Sequence, residues 1–233
     1  MSTRINKYLS ESGFCSRREA DRLILDQRVK INGELAQIGS QVEKMDVVTV
    51  DNKLLSNEQK RLYLVFNKPV GITSTTDTKI KGNMIDYINY PELIFHIGRL
   101  DKDSEGLILL TNDGDIVNQI LRAENAHEKE YLVTVDRPVT DIFCEQMAKG
   151  VPILDTITRP CVIKKVDSKT FKIILTEGLN RQIRRMCAYF GYNVLALKRI
   201  RIMHIHLDVP TGKYRHLTKN EEKKLFEILR SAS

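Results

Sequence analysis

Three places in the chain hold polar side chains suited to chemistry. The first is His96-Ile97-Gly98-Arg99-Leu100-Asp101-Lys102-Asp103-Ser104-Glu105-Gly106-Leu107. Gly98 and Gly106 permit backbone turns that a side chain would obstruct. Between them Asp101 has Arg99 and Lys102 on either side, so the corner presents an anion able to act as a nucleophile. The plainer reading of Asp101 is a helix cap or a surface partner of Arg99. The second place is Tyr131, closing Lys129-Glu130-Tyr131, which on plain reading is a core phenol. The third is Arg184, within Asn180-Arg181-Gln182-Ile183-Arg184-Arg185-Met186, which on plain reading is a surface charge beside a helix start. Pairing Asp101 with Asp103 as the two carboxylates of a hydrolase ranks lower. Residues two apart point in different directions, and no metal-ligand set accompanies them. On this ground Asp103→Asn is expected to be mild.

Several elements must position these groups. An apolar strand over 62–66 runs into Asn67-Lys68-Pro69-Val70-Gly71, where Pro69 and Gly71 impose a turn. A short helix is expected over 84–89, a strand at 107–110, a turn at 112–115 and a helix over 116–121. A strand through Val135 follows Tyr131. A helix over 140–149 should turn Ile142, Phe143 and Met147 inward, and strands are expected at 157–165 and 170–176. Ile183, Met186, Cys187 and Phe190 recur at helical spacing, which leaves Arg181, Arg184 and Arg185 largely on other sides. Strands at 193–199 and 202–208 and a final helix from 217, with Leu225, Phe226 and Leu229 inward, complete the set. Strands outnumber helices and most can pair as hairpins. The pattern predicts an α+β domain with a mixed, mainly antiparallel sheet and peripheral helices.

Ahead of it, residues 1–50 read as a small α/β domain. Ser16 and Glu19 have capping-box spacing before a helix whose inner face is Ala20, Leu23 and Ile24. Val29-Lys30-Ile31-Asn32-Gly33 reads as a strand into an Asn-Gly turn. Residues 51–61 are polar and aperiodic and read as a linker, giving domains at 1–60 and 61–233.

The chain has 233 residues, of which 42% are hydrophobic, enough for a core, and a net charge of +7 that favours an acidic partner such as nucleic acid. The basic residues cluster at Arg17-Arg18, at Arg181 with Arg184-Arg185, and at Lys198-Arg199-Arg201. The four cysteines are far apart, with no CxxC or CxxH pair, and read as reduced thiols in a cytoplasmic protein. No stretch is long enough to span a membrane, and no signal core opens the chain.

Arg4-Ile5-Asn6-Lys7-Tyr8-Leu9, Gly13, Cys15-Ser16-Arg17-Arg18-Glu19-Ala20, Val29-Lys30-Ile31-Asn32-Gly33 and Met45-Asp46-Val47-Val48 together resemble an S4 RNA-binding domain. The resemblance implies phosphate contacts from Arg17 and Arg18, and from Lys7, which position structured RNA without reading its sequence. Residues 62–201 resemble a pseudouridine synthase, of the branch containing the small-subunit enzyme RsuA and the large-subunit enzymes B, E and F. Lys68-Pro69-Val70-Gly71 resembles the first family motif, Gly98-Arg99-Leu100-Asp101 with Ser104 and Gly106-Leu107 the second, Lys129-Glu130-Tyr131 the tyrosine segment, and residues 180–186 the arginine motif. Within that branch, residues 127–136, residues 178–187 and Arg201-Ile202-Met203 resemble the large-subunit subtype F. F enzymes extend into a long basic tail beyond the position of Ser233, so no tail-borne ribosome contact is expected from these residues.

The family resemblance implies isomerisation of uridine to pseudouridine in structured RNA, chiefly 23S ribosomal RNA, without a metal or organic cofactor. Asp101, Tyr131 and Arg184 would be catalytic, with Arg184 paired to Asp101 and Tyr131 stacked on the base. Attack at C1′, attack at C6 and assisted departure of the uracil all remain open to Asp101. The target base must be flipped out of its helix. Arg99, Lys102, Arg181 and Gln182 flank the site for that work, with Lys68, Leu100, Ile183 and Arg185 as further RNA-facing positions. A monomer is expected. The alternatives are the same chemistry on tRNA, or an S4-domain ribosome-assembly factor that has lost the reaction.

Overall fold

A computed structural model describes residues 2–55, 60–121 and 126–231. The chain divides into two compact units. One is Met1–Leu62 with Tyr90–Phe95 and Thr111–Gly114; the other is Tyr63–Asn89 with His96–Leu110 and Asp115–Ser233.

The first unit contains β1 (Thr3–Arg4), α1 (Ile5–Glu11), α2 (Arg17–Leu25), β2 (Val29–Ile31), β3 (Glu34–Leu35), β4 (Gln41–Val42), β5 (Val48–Val50) and β6 (Lys53–Leu54). Ser16 caps α2 by accepting from the Glu19 backbone N–H at 3.3 Å. Glu19 itself pairs with Arg22 at 3.1 Å, so the forward half of the expected capping box forms. Ile5 and Leu9 of α1 and Ala20, Leu23 and Ile24 of α2 pack on Val29, Val48 and Val50 of the sheet β3–β2–β5–β6. Arg17 and Arg18 stand exposed at the head of α2.

The stretch read as a linker is in large part structured. Lys53–Leu54 is an edge strand on β5, a two-residue pairing too short to leave a periodic pattern. Lys60 to Leu62 is held by the 111–113 segment. Asn112 accepts from Leu62 N–H at 2.9 Å and donates to the Lys60 carbonyl at 3.0 Å, and Thr111 donates to the Leu62 carbonyl at 2.8 Å. Arg61 pairs with Asp113 at 3.1 Å. The linker positions 56–59 lie outside the described residues.

The second unit contains β7 (Tyr63–Lys68), α3 (Met84–Ile88), β8 (Phe95–Ile97), β9 (Glu105–Thr111), α4 (Gly114–Leu121), β10 (Lys129–Val135), α5 (Asp141–Ala148), β11 (Pro152–Ile153), β12 (Thr156–Ile157), β13 (Val162–Lys165), β14 (Thr170–Leu175), α6 (Gln182–Tyr189), β15 (Val194–Ile202), β16 (Ile205–His206), β17 (Tyr214–His216) and α7 (Lys219–Ser231). The main sheet runs β13–β14–β10–β15–β9–β7–β17. Its pairs β13–β14, β14–β10, β10–β15 and β7–β17 are antiparallel, whereas β15 and β9 are parallel. The sheet is therefore mixed and mainly antiparallel. Tyr63, Val65, Leu107, Leu109, Ile202 and Ile205 form one apolar face, covered by Ile116 and Ile120 of α4 and Leu225 and Leu229 of α7.

Three local expectations change. Ile142 is 68% exposed, while Phe143 and Met147 are buried. Those two are four apart and share the inner stripe of α5, whose Phe143 ring packs on Phe171, Phe190 and Tyr192. The two strands expected at 193–199 and 202–208 are one long strand, β15, followed by the short β16. The run expected at 157–165 is split between β12 and β13.

Gly106 makes the parallel pairing possible. Its φ is +110°, and a Cβ there would collide with the backbone of Arg199 on β15. Gly106→Ala is expected to cost at least about 2 kcal/mol through that collision and the left-handed strain. Urea unfolding of the second unit's transition, compared with wild type, measures it.

Candidate active site

The Asp101 loop leaves β8 through Gly98, whose φ of +77° is left-handed, and enters β9 at Glu105. A turn closes it, with Ser104 N–H donating to the Asp101 carbonyl at 3.1 Å. Two contacts from 71–74 hold it in place. Gly71 N–H donates to the Lys102 carbonyl at 2.7 Å. The buried Ser74 hydroxyl donates to the Leu100 carbonyl at 2.8 Å and accepts from Leu100 N–H at 3.2 Å. Leu100 is thereby drawn beneath the loop, and the Asp101 side chain stays about one-third exposed.

From the opposite side comes the start of α6. Arg181 occupies its N-cap with φ +49°, a left-handed conformation that is uncommon for a non-glycine residue. Its guanidinium grips Asp103 with two bonds, at 3.2 and 2.9 Å, and lies 3.6 Å from Asp101 Oδ2. Arg184 stands one helical turn further on and faces the same way. Its Nε is 3.4 Å from Asp103 Oδ2, and its Nη2 donates to the Asp103 carbonyl at 2.9 Å and to Ser104 Oγ at 3.2 Å. Its Nη1 donates to the Val194 carbonyl at 3.1 Å.

The expected pairing of Arg184 with Asp101 is thus replaced by pairing with Asp103, and among the described residues the cation paired with Asp101 is Arg181. Two guanidiniums three residues apart converge on Asp103 at the head of α6. Asp103 is held below the usual carboxylate range, first by its bonds to Arg181 and then by the charges of Arg184 and Arg181. Asp103 is therefore an organising residue, and the mildness expected of Asp103→Asn no longer follows. An open pocket of about 350 Å³ lies here, lined by Val70, Gly71, Asp101, Lys102, Asp103 and Arg181.

Tyr131 sits on β10, buried, opposite Arg199 of β15, which in turn is opposite Gly106 of β9. One row across three strands thus joins the tyrosine to the end of the Asp101 loop. Arg199 is only 3% exposed. It donates to the Leu107 carbonyl at 2.6 Å and to the Arg99 carbonyl at 3.5 Å, so it ties both ends of the loop. Sequence reasoning counted Arg199 in a basic cluster and missed this role. A signal was present: Arg199 is two residues from the apolar Leu197, so on a strand the two share a face. Arg201, from the same cluster, is also taken up internally, by Glu128 and Glu130 at 2.9 and 2.8 Å.

Of the RNA-facing candidates, Arg17, Arg18, Arg99, Lys102, Arg181 and Arg185 are exposed. Arg185 folds back onto Asn180. Lys68, Leu100, Gln182 and Ile183 are buried and cannot meet RNA as polar surface. Gln182 spends its amide on Glu177 and on Leu179 N–H, closing the loop before α6. Lys68 ends a strand buried at every residue, and its ammonium donates to the Pro69 carbonyl at 2.8 Å. Burial lowers the Lys68 pKa to about 8, against the opposing pull of Asp103, Asp101 and Glu105. Lys129 is likewise lowered to about 8 by burial and by the nearby Arg199.

A part-exposed carboxylate lining an open pocket beside Lys102 and Arg181, on a mixed sheet, is the setting of an enzyme active site. Residues 62–189 match the RNA pseudouridylate synthase family and residues 3–48 match the S4 domain, so the chain belongs to the RNA pseudouridine synthases and carries an S4 domain. It is 56% identical to the dual-specificity RNA pseudouridine synthase RluF of Salmonella typhi, over all of this chain and 81% of that protein. It is 54% identical to the RluF of Escherichia coli K12 over the same shares. The ribosomal large subunit pseudouridine synthase B of Bacillus subtilis is 32% identical over 95% of each chain. A crystal structure of a pseudouridylate synthase superposes with a TM-score of 0.70 at 32% identity, covering 95% of this chain and 99% of the other.

The buried Lys68 gives a pH signature. Above about pH 8 the folded protein has shed this proton, while the unfolded chain keeps it to about pH 10.4. The unfolded state then binds more protons, so stability contributed at this site rises with pH across that window. Lys68→Met should show a flatter stability–pH curve between pH 8 and 10 than wild type, measured by urea unfolding.

Proposed function

We propose that this enzyme isomerises uridine to pseudouridine in ribosomal RNA of the large subunit, with Asp101 as the reacting carboxylate. The observation that carries the reading is the geometry of Asp101. It is part-exposed on the floor of an open pocket, on a loop held by Ser74, Gly71 and Arg199, with a guanidinium 3.6 Å away. The substrate class follows the names of the relatives, one of which acts on the large ribosomal subunit.

In the reaction the bond from the ribose C1′ to uracil N1 breaks and a bond from C1′ to C5 forms. The proton on C5 is lost, and N1 gains one. Asp101 can take up electron-deficient C1′, add at C6, or assist departure of the uracil. The base reaches it only after leaving its stack, at a cost of a few kcal/mol. Arg99 and Lys102, exposed on the loop, and Arg181 at the pocket wall are placed to take the flanking phosphates. Tyr131 supports the base from the sheet and is the candidate for moving a proton. Arg184 acts on Asp101 through Asp103. Arg17 and Arg18 hold the RNA from the S4 unit. The enzyme works as a cytoplasmic monomer on this reading; among the described residues no helix is long and apolar enough to cross a membrane.

Ribosomal RNA carrying tritium at uridine C5 tests the chemistry, because turnover releases the label and binding alone does not. Asp101→Asn should reduce release by about 1,000-fold or more while RNA affinity stays near wild type. Release close to wild type would remove Asp101 from the reaction. Arg17→Ala with Arg18→Ala should weaken RNA binding and lower the slope of log K against log salt by up to about 2, as expected for two lost phosphate contacts. An unaltered slope would take these residues off the RNA.

A further inference from the structure

Arg181 stands between two carboxylates and divides itself unequally. It forks onto Asp103 at 3.2 and 2.9 Å but approaches Asp101 only to 3.6 Å. We propose that Asp103 is a positioning residue that keeps Arg181 from closing a full bidentate pair with Asp101, and so leaves the Asp101 carboxylate free to react. This rests on the reading of Asp101 as the reacting group.

A bidentate guanidinium–carboxylate pair is the strong form of the interaction and occupies both carboxylate oxygens. A nucleophile held that way must break the pair before it can attack. A single long contact keeps a compensating charge nearby and leaves lone pairs exposed. The structure has the second arrangement, and Asp103 maintains it. Arg184 fixes Asp103 in turn, through its carboxylate at 3.4 Å and its own carbonyl at 2.9 Å. Arg184 is itself anchored on Ser104 and Val194, so the chain of contacts ends in the fold. Arg181 holds a left-handed φ of +49° at the N-cap and lines the pocket. The other charges facing the two carboxylates are few. Lys68 acts from the end of β7, Lys102 lies in the same loop, and Glu105 is engaged by Lys198 at 3.6 Å.

With Asp103 neutral, Arg181 keeps one carboxylate partner, Asp101, and needs to close only from 3.6 Å to about 2.8 Å. Asp103→Asn in the full-length chain should therefore lower kcat about 10- to 100-fold, with RNA affinity within about two-fold of wild type. Adding Arg181→Gln should recover part of the lost kcat, since the grip is then gone. Asp103→Glu, which keeps the charge on a longer arm, should fall between wild type and Asp103→Asn, and it serves as the variant of record if Asp103→Asn does not fold by thermal melting.

Wild-type kcat in Asp103→Asn would overturn the proposal. So would a loss confined to RNA affinity, or a kcat loss that deepens in the double variant; that last pattern is the mark of a purely structural carboxylate. Asp101→Asn in the same assay separates the two levels. If it is dead while Asp103→Asn is wild type, the positioning role alone fails. If it turns over normally, the reading beneath it fails too.

Discussion

The second unit depends on one close approach, Gly106 of β9 against the backbone of Arg199 on β15. It is the parallel seam that joins the antiparallel strands β13, β14, β10 and β15 to β9, β7 and β17. A side chain at 106 would hold the strands apart, since its Cβ would occupy the space of the Arg199 backbone. The seam decides more than sheet continuity. It fixes the exit of the Asp101 loop, and it brings the Arg199 guanidinium to the carbonyls of Arg99 and Leu107 at the two ends of that loop. Opposite the same Arg199 stands Tyr131. Strand register therefore places the aspartate and the tyrosine relative to each other, with no direct bond between them.

Around this seam the charges are arranged in two ways. At the pocket mouth the carboxylates and guanidiniums are part-exposed, so their pairs are screened and contribute little to stability. Their value lies in geometry, in which carboxylate each arginine holds and at what distance. Beneath the loop the cations are buried. Arg199 spends two of its nitrogens on backbone carbonyls, and its Nη2 has no hydrogen-bond partner among the described residues. Burial also works against the charged forms of Lys68 and of the half-buried Lys129. Buried donors of this kind hold backbone in place, because leaving them unmet costs more than a surface bond gains.

What could be read in the chain and what could not follow different physics. Helix α2 was legible because its signals are local: Ser16 and Glu19 at the cap, and Ala20, Leu23 and Ile24 on one face. The α6 core positions Ile183, Met186 and Cys187 were legible for the same reason. Ile142 was misplaced because a short helix exposes most of its circumference, and hydrophobicity alone does not say which neighbour lies across. Lys68 and Gln182 were expected to face RNA because they fall within the motifs that carry the family resemblance. Each is buried by a partner from beyond its own element or by an adjoining loop, which no spacing rule contains. The edge strand at Lys53–Leu54 gave no periodic signal, since two residues form no period.

By itself the sequence determined the order of the elements, the glycine-bounded corner that carries Asp101, the arginine-rich head of α6 and the motifs that mark an S4 domain and a pseudouridine synthase. These depend on residues near one another in the chain. Only the tertiary structure decided which cation meets which carboxylate. Asp101 and Asp103 are two residues apart, and Arg181 and Arg184 are three, so sequence permits every pairing among them. The choice was made some eighty residues away along the chain, where the entry to α6 meets the loop at a fixed angle. That angle gives Arg181 and Arg184 to Asp103, and leaves Asp101 at 3.6 Å from its cation.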